Sequence, residues 1–103
     1  MPAQQQATVR WHLVAAGGLP PCARQGHSAT VVPERGWIVV FGGANEGGPL
    51  SDLFVFDVRT HTWSQRKAQG GAPAARSRHA AVYVPARDSI YVFGGTLKNG
   101  VWG

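Results

Sequence analysis

Residues 37–43 read Trp-Ile-Val-Val-Phe-Gly-Gly and return 52 residues later, at 89–95, as Ser-Ile-Tyr-Val-Phe-Gly-Gly. The same shift places Trp11 on Trp63, Pro21 on Pro73, Arg24 on Arg76, His27 on His79, Pro33 on Pro85 and Arg35 on Arg87. Without a gap, 17 of the 41 positions from 11 to 51 are identical. A period near 50 residues, in which an apolar strand closes on two glycines, marks an array of like units. Such units bury their apolar faces only against their neighbours.

The unit itself predicts four strands. Residues 27–32 are small and β-branched, and Pro33-Glu34-Arg35-Gly36 is a tight turn into 37–41. That second strand is apolar at every position, so both of its faces are expected to be buried. Gly42 and Gly43 end it where the backbone bends sharply or is closely approached. A loop at 44–52 leads to a third apolar strand at 53–56, and the carboxylate of Asp57 is placed to accept N–H groups of the following bend. The fourth strand, 62–66, is polar apart from Trp63 and reads as an edge.

A progression from small, through two fully apolar strands, to a polar one does not suit a two-layer sandwich, whose strands alternate. It suits a sheet pressed between two like sheets, with the first strand at a crowded axis and the fourth at the rim. Trp63 is expected to cover glycine backbone there. The expected class is therefore all-β, a propeller with one complete four-stranded blade at 27–66. Residues 1–9, polar and without periodicity, are expected to be a disordered tail. Residues 10–26, with a strand at 11–14, supply the rim strand and loop of a preceding blade. Residues 67–103 supply a loop and the inner half of the next, closing on Gly94 and Gly95. A propeller closes with roughly four to eight blades, so further blades in cis or in trans are expected.

The net charge of +5 comes from dispersed arginines, which read first as solvated surface and second as a field favouring an acidic or phosphate-bearing partner. The aromatic residues sit in the apolar strands and are not interleaved with the basic ones, which argues against nucleic acid. Cys22 is the single cysteine, so no internal disulfide forms. No apolar run approaches the ~20 residues of a transmembrane helix, and the cytoplasm is the default compartment.

His27-Ser-Ala-Thr-Val-Val, Trp37-Ile-Val-Val-Phe-Gly-Gly, Ser51-Asp-Leu-Phe-Val-Phe-Asp57 and Thr62-Trp63 resemble the successive strands of a kelch motif. The twice-present Pro-x-x-Arg-x-x-His is similar to the longer kelch subtype, and the resemblance covers residues 10–96. More narrowly, Pro21-Cys-Ala-Arg-Gln-Gly-His-Ser28, Gly42-Gly-Ala-Asn45, Ser51-Asp52 and His61-Thr-Trp63 resemble the opening blade of kelch-type Rab effectors of endosome-to-Golgi transport. The resemblance implies a non-catalytic protein-interaction module, an adaptor or effector in vesicle transport. Its partner would be a small GTPase or another acidic protein surface. The alternative is a piece of a kelch-propeller enzyme of the oxidase or sugar epimerase type.

The individual residues read as follows. His27 and His79 lie one repeat apart without a carboxylate at ligand spacing, which predicts a structural role in the blade-opening loop and no metal. Arg24 and Arg76 are expected first to brace the loops between blades. With Asn45 and Glu46 they are also candidates for partner contact, since the loops 15–26, 44–52 and 67–78 share one face of the disc. Loop or turn duty is expected of Asp52, Asp57 and Glu46. The di-glycines precede strands and not helices, so they are not phosphate cradles. No catalytic residue and no cofactor is expected.

Overall fold

The computed structural model describes residues 8–100, so 1–7 of the expected tail and 101–103 of the second unit lie outside the described residues. The chain is all-β, with nine strands among the described residues: β1 Gly17–Gly18, β2 Ser28–Val32, β3 Trp37–Phe41, β4 Ala44–Asn45, β5 Gly48–Pro49, β6 Leu53–Asp57, β7 Thr62–Arg66, β8 Ala80–Val84 and β9 Ser89–Phe93. Strands β2, β3, β6 and β7 form an antiparallel sheet in that order, and β1 adds to its β7 edge in parallel. The expected turn at 33–36 is a 3-10 turn opened by Pro33 and closed by left-handed Gly36.

Both faces of the two central strands are covered. On one face Val32, Val39 and Val55 form the core, with Trp37, Leu53, Tyr83 and Ile90 packed against them. On the other, Val40, Phe54 and Phe56 are buried, and the Phe56 ring lies 5.1 Å from Trp63 and 6.0 Å from His61. Each such side chain taken out of water contributes about 1.5–3 kcal/mol. The hairpin β8–β9 repeats β2–β3 and packs beside β2. Strand β9 pairs with β8 alone, so Phe93 stays 59% exposed where its equivalent Phe41, between β2 and β6, is 5% exposed.

Two expectations are corrected. Residues 11–14 form no strand, and Trp11 is 93% exposed. The chain joins the edge of the sheet later, where Gly17 and Gly18 of β1 lie against Thr62 and Trp63 of β7. Secondly, the aromatic neighbour of the Trp63 ring is Phe56, and the residue's glycine contact runs through its backbone. The glycine that approaches is Gly18, flanked by Gly17 N–H donating to His61 O at 3.0 Å and Leu19 N–H donating to Trp63 O at 3.3 Å. A Cβ on Gly18 would overlap that carbonyl.

The first glycine of the pair at 42–43 is required by the neighbouring unit. Gly42 has φ 69°, and a Cβ there would sit 2.7 Å from Arg76 O and 2.8 Å from His79 Cε1. Its equivalent Gly94 has nothing within 4 Å. Gly42→Ala is therefore expected to cost about 2–4 kcal/mol, combining left-handed strain with overlap against backbone. Urea denaturation of the full-length protein checks this, and a cost under about 1 kcal/mol would show that the second unit is not seated there.

Candidate functional site

The strand register divides the sheet into two ends. Ser28, Phe41, Leu53 and Arg66 align at one, and Val32, Trp37, Asp57 and Thr62 at the other. From the first issue the long connections 19–27, 42–52, 67–79 and 94–100. From the second issue the short turns 33–36, 58–61 and 85–88, and the segment leading into β1 enters there. Asp57 holds one of these, its Oδ1 accepting from Arg59 N–H at 2.8 Å and Thr60 N–H at 3.2 Å.

At the long-loop end, Arg24 is committed to the scaffold. Its guanidinium donates to Cys22 O at 3.0 Å, to Gly42 O at 3.1 Å and to both carboxylate oxygens of Asp52, the Oδ2 contact being 3.1 Å. Its side chain is 3% exposed and lies over the Phe54 ring. The Asp52 contact, foremost, and its charge hold the guanidinium pKa above the ordinary value despite burial. Arg76 repeats the pattern one unit on, donating to Ala74 O and Gly94 O, each at 3.0 Å. Arg24 therefore braces the loop, its guanidinium being buried and bonded to Cys22, Gly42 and Asp52. Asp52 is likewise no mere loop residue but its counter-ion.

The two units meet through backbone and through His79. Arg76 N–H donates to Leu50 O at 3.1 Å, Gly43 N–H to Arg76 O at 2.9 Å, and Arg78 N–H to Gly26 O at 2.7 Å. The His79 ring stands edge-on to Phe41 at 5.3 Å, and its Nε2 lies 2.9 Å from Ser28 Oγ. Its tie is to the first strand of the preceding blade and not to the blade-opening loop. The equivalent His27 is exposed, with its Cβ against Gly43.

Burial first, and then the Arg76 charge, hold the His79 imidazole below its ordinary value, and its Nδ1 is buried without a partner. The unfolded chain then takes up this proton before the folded one does. Stability is accordingly complete above pH ~6.5, the unfolded value, and falls as the pH drops from there towards the lower folded value. Urea midpoints at mildly acid and neutral pH are expected to differ less in His79→Gln than in the parent protein.

Asn45 and Glu46 are exposed in the connection 42–52, and Asn45 Oδ1 accepts from Gly47 N–H at 2.8 Å. They border an open depression with Ala23, Gln25 and Ala44. Among the described residues, no three His, Cys, Asp or Glu side chains gather where one ion could bridge them. No helix among them is long and apolar enough to cross a membrane.

A family match to the KLHDC2/KLHL20/DRC7 Kelch-repeats domain spans residues 4–102. The chain belongs to the kelch-repeat family. Its sheet from β2 to β7 is one complete kelch blade and β8–β9 the inner half of a second. Over 85% of its length this kelch chain is 38% identical to acyl-CoA-binding domain-containing protein 5 of Arabidopsis thaliana. Over 96% it is 33% identical to the human Rab9 effector protein with kelch motifs, and over 84% it is 35% identical to rat host cell factor 1. The kelch chain spans 13%, 28% and 4% of those three proteins.

Proposed function

We propose that the chain is part of a kelch propeller that works as a protein-interaction module, an adaptor or effector in vesicle transport at the cytoplasmic side, with the long-loop end receiving the partner. The observation that carries the reading is the 33% identity to a Rab9 effector across 96% of the chain. The geometry supports it: the blade has a rigid core, a tightly turned end, and an end of long connections on which Asn45 and Glu46 stand exposed. Exposed loops on a rigid scaffold are where recognition residues concentrate. Closure by further blades belongs to the same proposal.

The test is retention of Rab proteins, Rab9 first, on the immobilised full-length protein. Selective retention of the GTP-loaded form is expected, and weakening by a double substitution Asn45→Ala, Glu46→Arg. Absence of every Rab in both nucleotide states, or indifference to the nucleotide, overturns the effector reading.

A further inference from the structure

Position 78 departs from the repeat, and the fold uses its backbone N–H and the stem of its side chain but pairs its guanidinium with no carboxylate among the described residues. The residue before the blade-opening histidine is Gly26 in the first unit, with φ 72°, and Arg78 in the second, with φ 57°. Left-handed backbone suits glycine and disfavours a residue that carries a Cβ. The other two non-glycine residues with positive φ return something to the structure. Asp88 stands where the first unit has Gly36, takes the Arg35 guanidinium at 2.7 Å and accepts the Tyr83 hydroxyl at 3.0 Å. His61 stacks on Phe56. Arg78 is exposed and belongs to neither ion pair among the described residues, while its own N–H fixes it to Gly26 O. Strained backbone positions cluster at sites that clamp ligands.

The charge distribution singles out the same end. At the short-turn end Arg35, Arg59 and Arg87 stand against Glu34, Asp57 and Asp88, which cancel. At the long-loop end Arg24 is spent on Asp52, and Arg66 folds back over the Trp37 ring at 4.9 Å. Lys67, Arg76, Arg78 and Lys98 remain against Glu46. Apart from Arg10 and Arg66, the whole excess of the chain therefore lies on the loops of one face. Ser77 and Thr96 exchange backbone hydrogen bonds at 3.0 and 2.8 Å, which brings the segment of Arg76 and Arg78 beside that of Lys98.

We propose that Arg78, flanked by Arg76 and Lys98, is a docking point for a carboxylate-rich segment of a protein partner. The proposal rests on the interaction-module reading and adds to it the partner's chemistry and the residue that meets it. A guanidinium fork pairs a carboxylate through two parallel hydrogen bonds. A phosphate backbone would ask for a continuous cationic track with stacking aromatics. These cations instead come from separate loops broken by Gly70, Gly71 and Pro73, with the carboxylate of Glu46 on the same face.

The test uses the full-length protein and a fluorescein-labelled oligoglutamate peptide, followed by fluorescence anisotropy at low salt. Arg78→Gly restores the residue of the first unit, so its melting temperature is expected to hold or rise while affinity for the peptide falls about tenfold or more. Arg87→Ala, at the cancelled end, is expected to change affinity less than about twofold. The proposal is overturned by undiminished peptide binding in Arg78→Gly, by an equal loss in Arg87→Ala, by no peptide binding in the parent protein, or by tighter binding of a single-stranded oligonucleotide of equal charge. A Rab retained equally by the parent and Arg78→Gly would leave the interaction module standing and remove this docking point.

Discussion

Phe41→Ala is expected to cost about 3–5 kcal/mol, the range for emptying a phenylalanine site in a packed core. Phe41 is buried at the last position of β3, between Ser28 of β2 and Leu53 of β6, and its ring receives the edge of His79. The substitution thus opens a cavity and removes the wall against which the second unit's histidine stands. Unfolding should lose cooperativity between the two units, visible as earlier amide exchange in β8–β9 than in β6. A measured loss below about 1 kcal/mol in the full-length protein would show that the two faces of the middle strands are not both covered.

Arg24→Met is the second large expected effect, about 2–4 kcal/mol. Methionine roughly fills the volume over Phe54 but leaves Cys22 O, Gly42 O and the Asp52 carboxylate without their donor. Breaking one side of a buried pair leaves an uncompensated charge, for which a loss of about 3–5 kcal/mol is usual. The carboxylate side chain of Asp52 is 27% exposed, so water recovers part of that loss. Arg24→Met with Asp52→Asn should recover stability relative to Arg24→Met alone. A double-mutant cycle with no coupling between the two positions would remove Asp52 from the brace.

The order of β2, β3, β6 and β7 was legible in the sequence because it rests on local quantities, whereas β1, β4 and β5 lie in segments expected to be loops. Apolar runs at 37–41 and 53–56 have only one way to be satisfied, with both faces covered, and Pro33, Gly36 and Asp57 act on turns within a few residues of themselves. The fate of residues 11–14 was not legible. Of 11–14 only Trp11 repeats a residue of β7, and whether a segment pairs depends on the strand edge it meets, which here takes Gly17 and Gly18 instead. Arg78 was readable in principle, as the one arginine standing where the other repeat keeps a glycine before its histidine, although only its φ gives that exchange a meaning.

The sequence by itself determined the 52-residue unit, its four-strand order and the burial of its middle strands, since periodicity and apolar runs are properties of neighbouring residues. The tertiary structure alone decided that Arg24 belongs to Asp52, that His79 belongs to Ser28 and Phe41, and that Gly42 answers to the next unit. Those partners lie 28 to 51 residues apart for the two hydrogen-bonded pairs. The first pair closes within one unit, when the connection before β2 folds against 42–52, and the second only when one unit docks on the other, because spacing along the chain carries no information about the distance between two side chains brought together by folding.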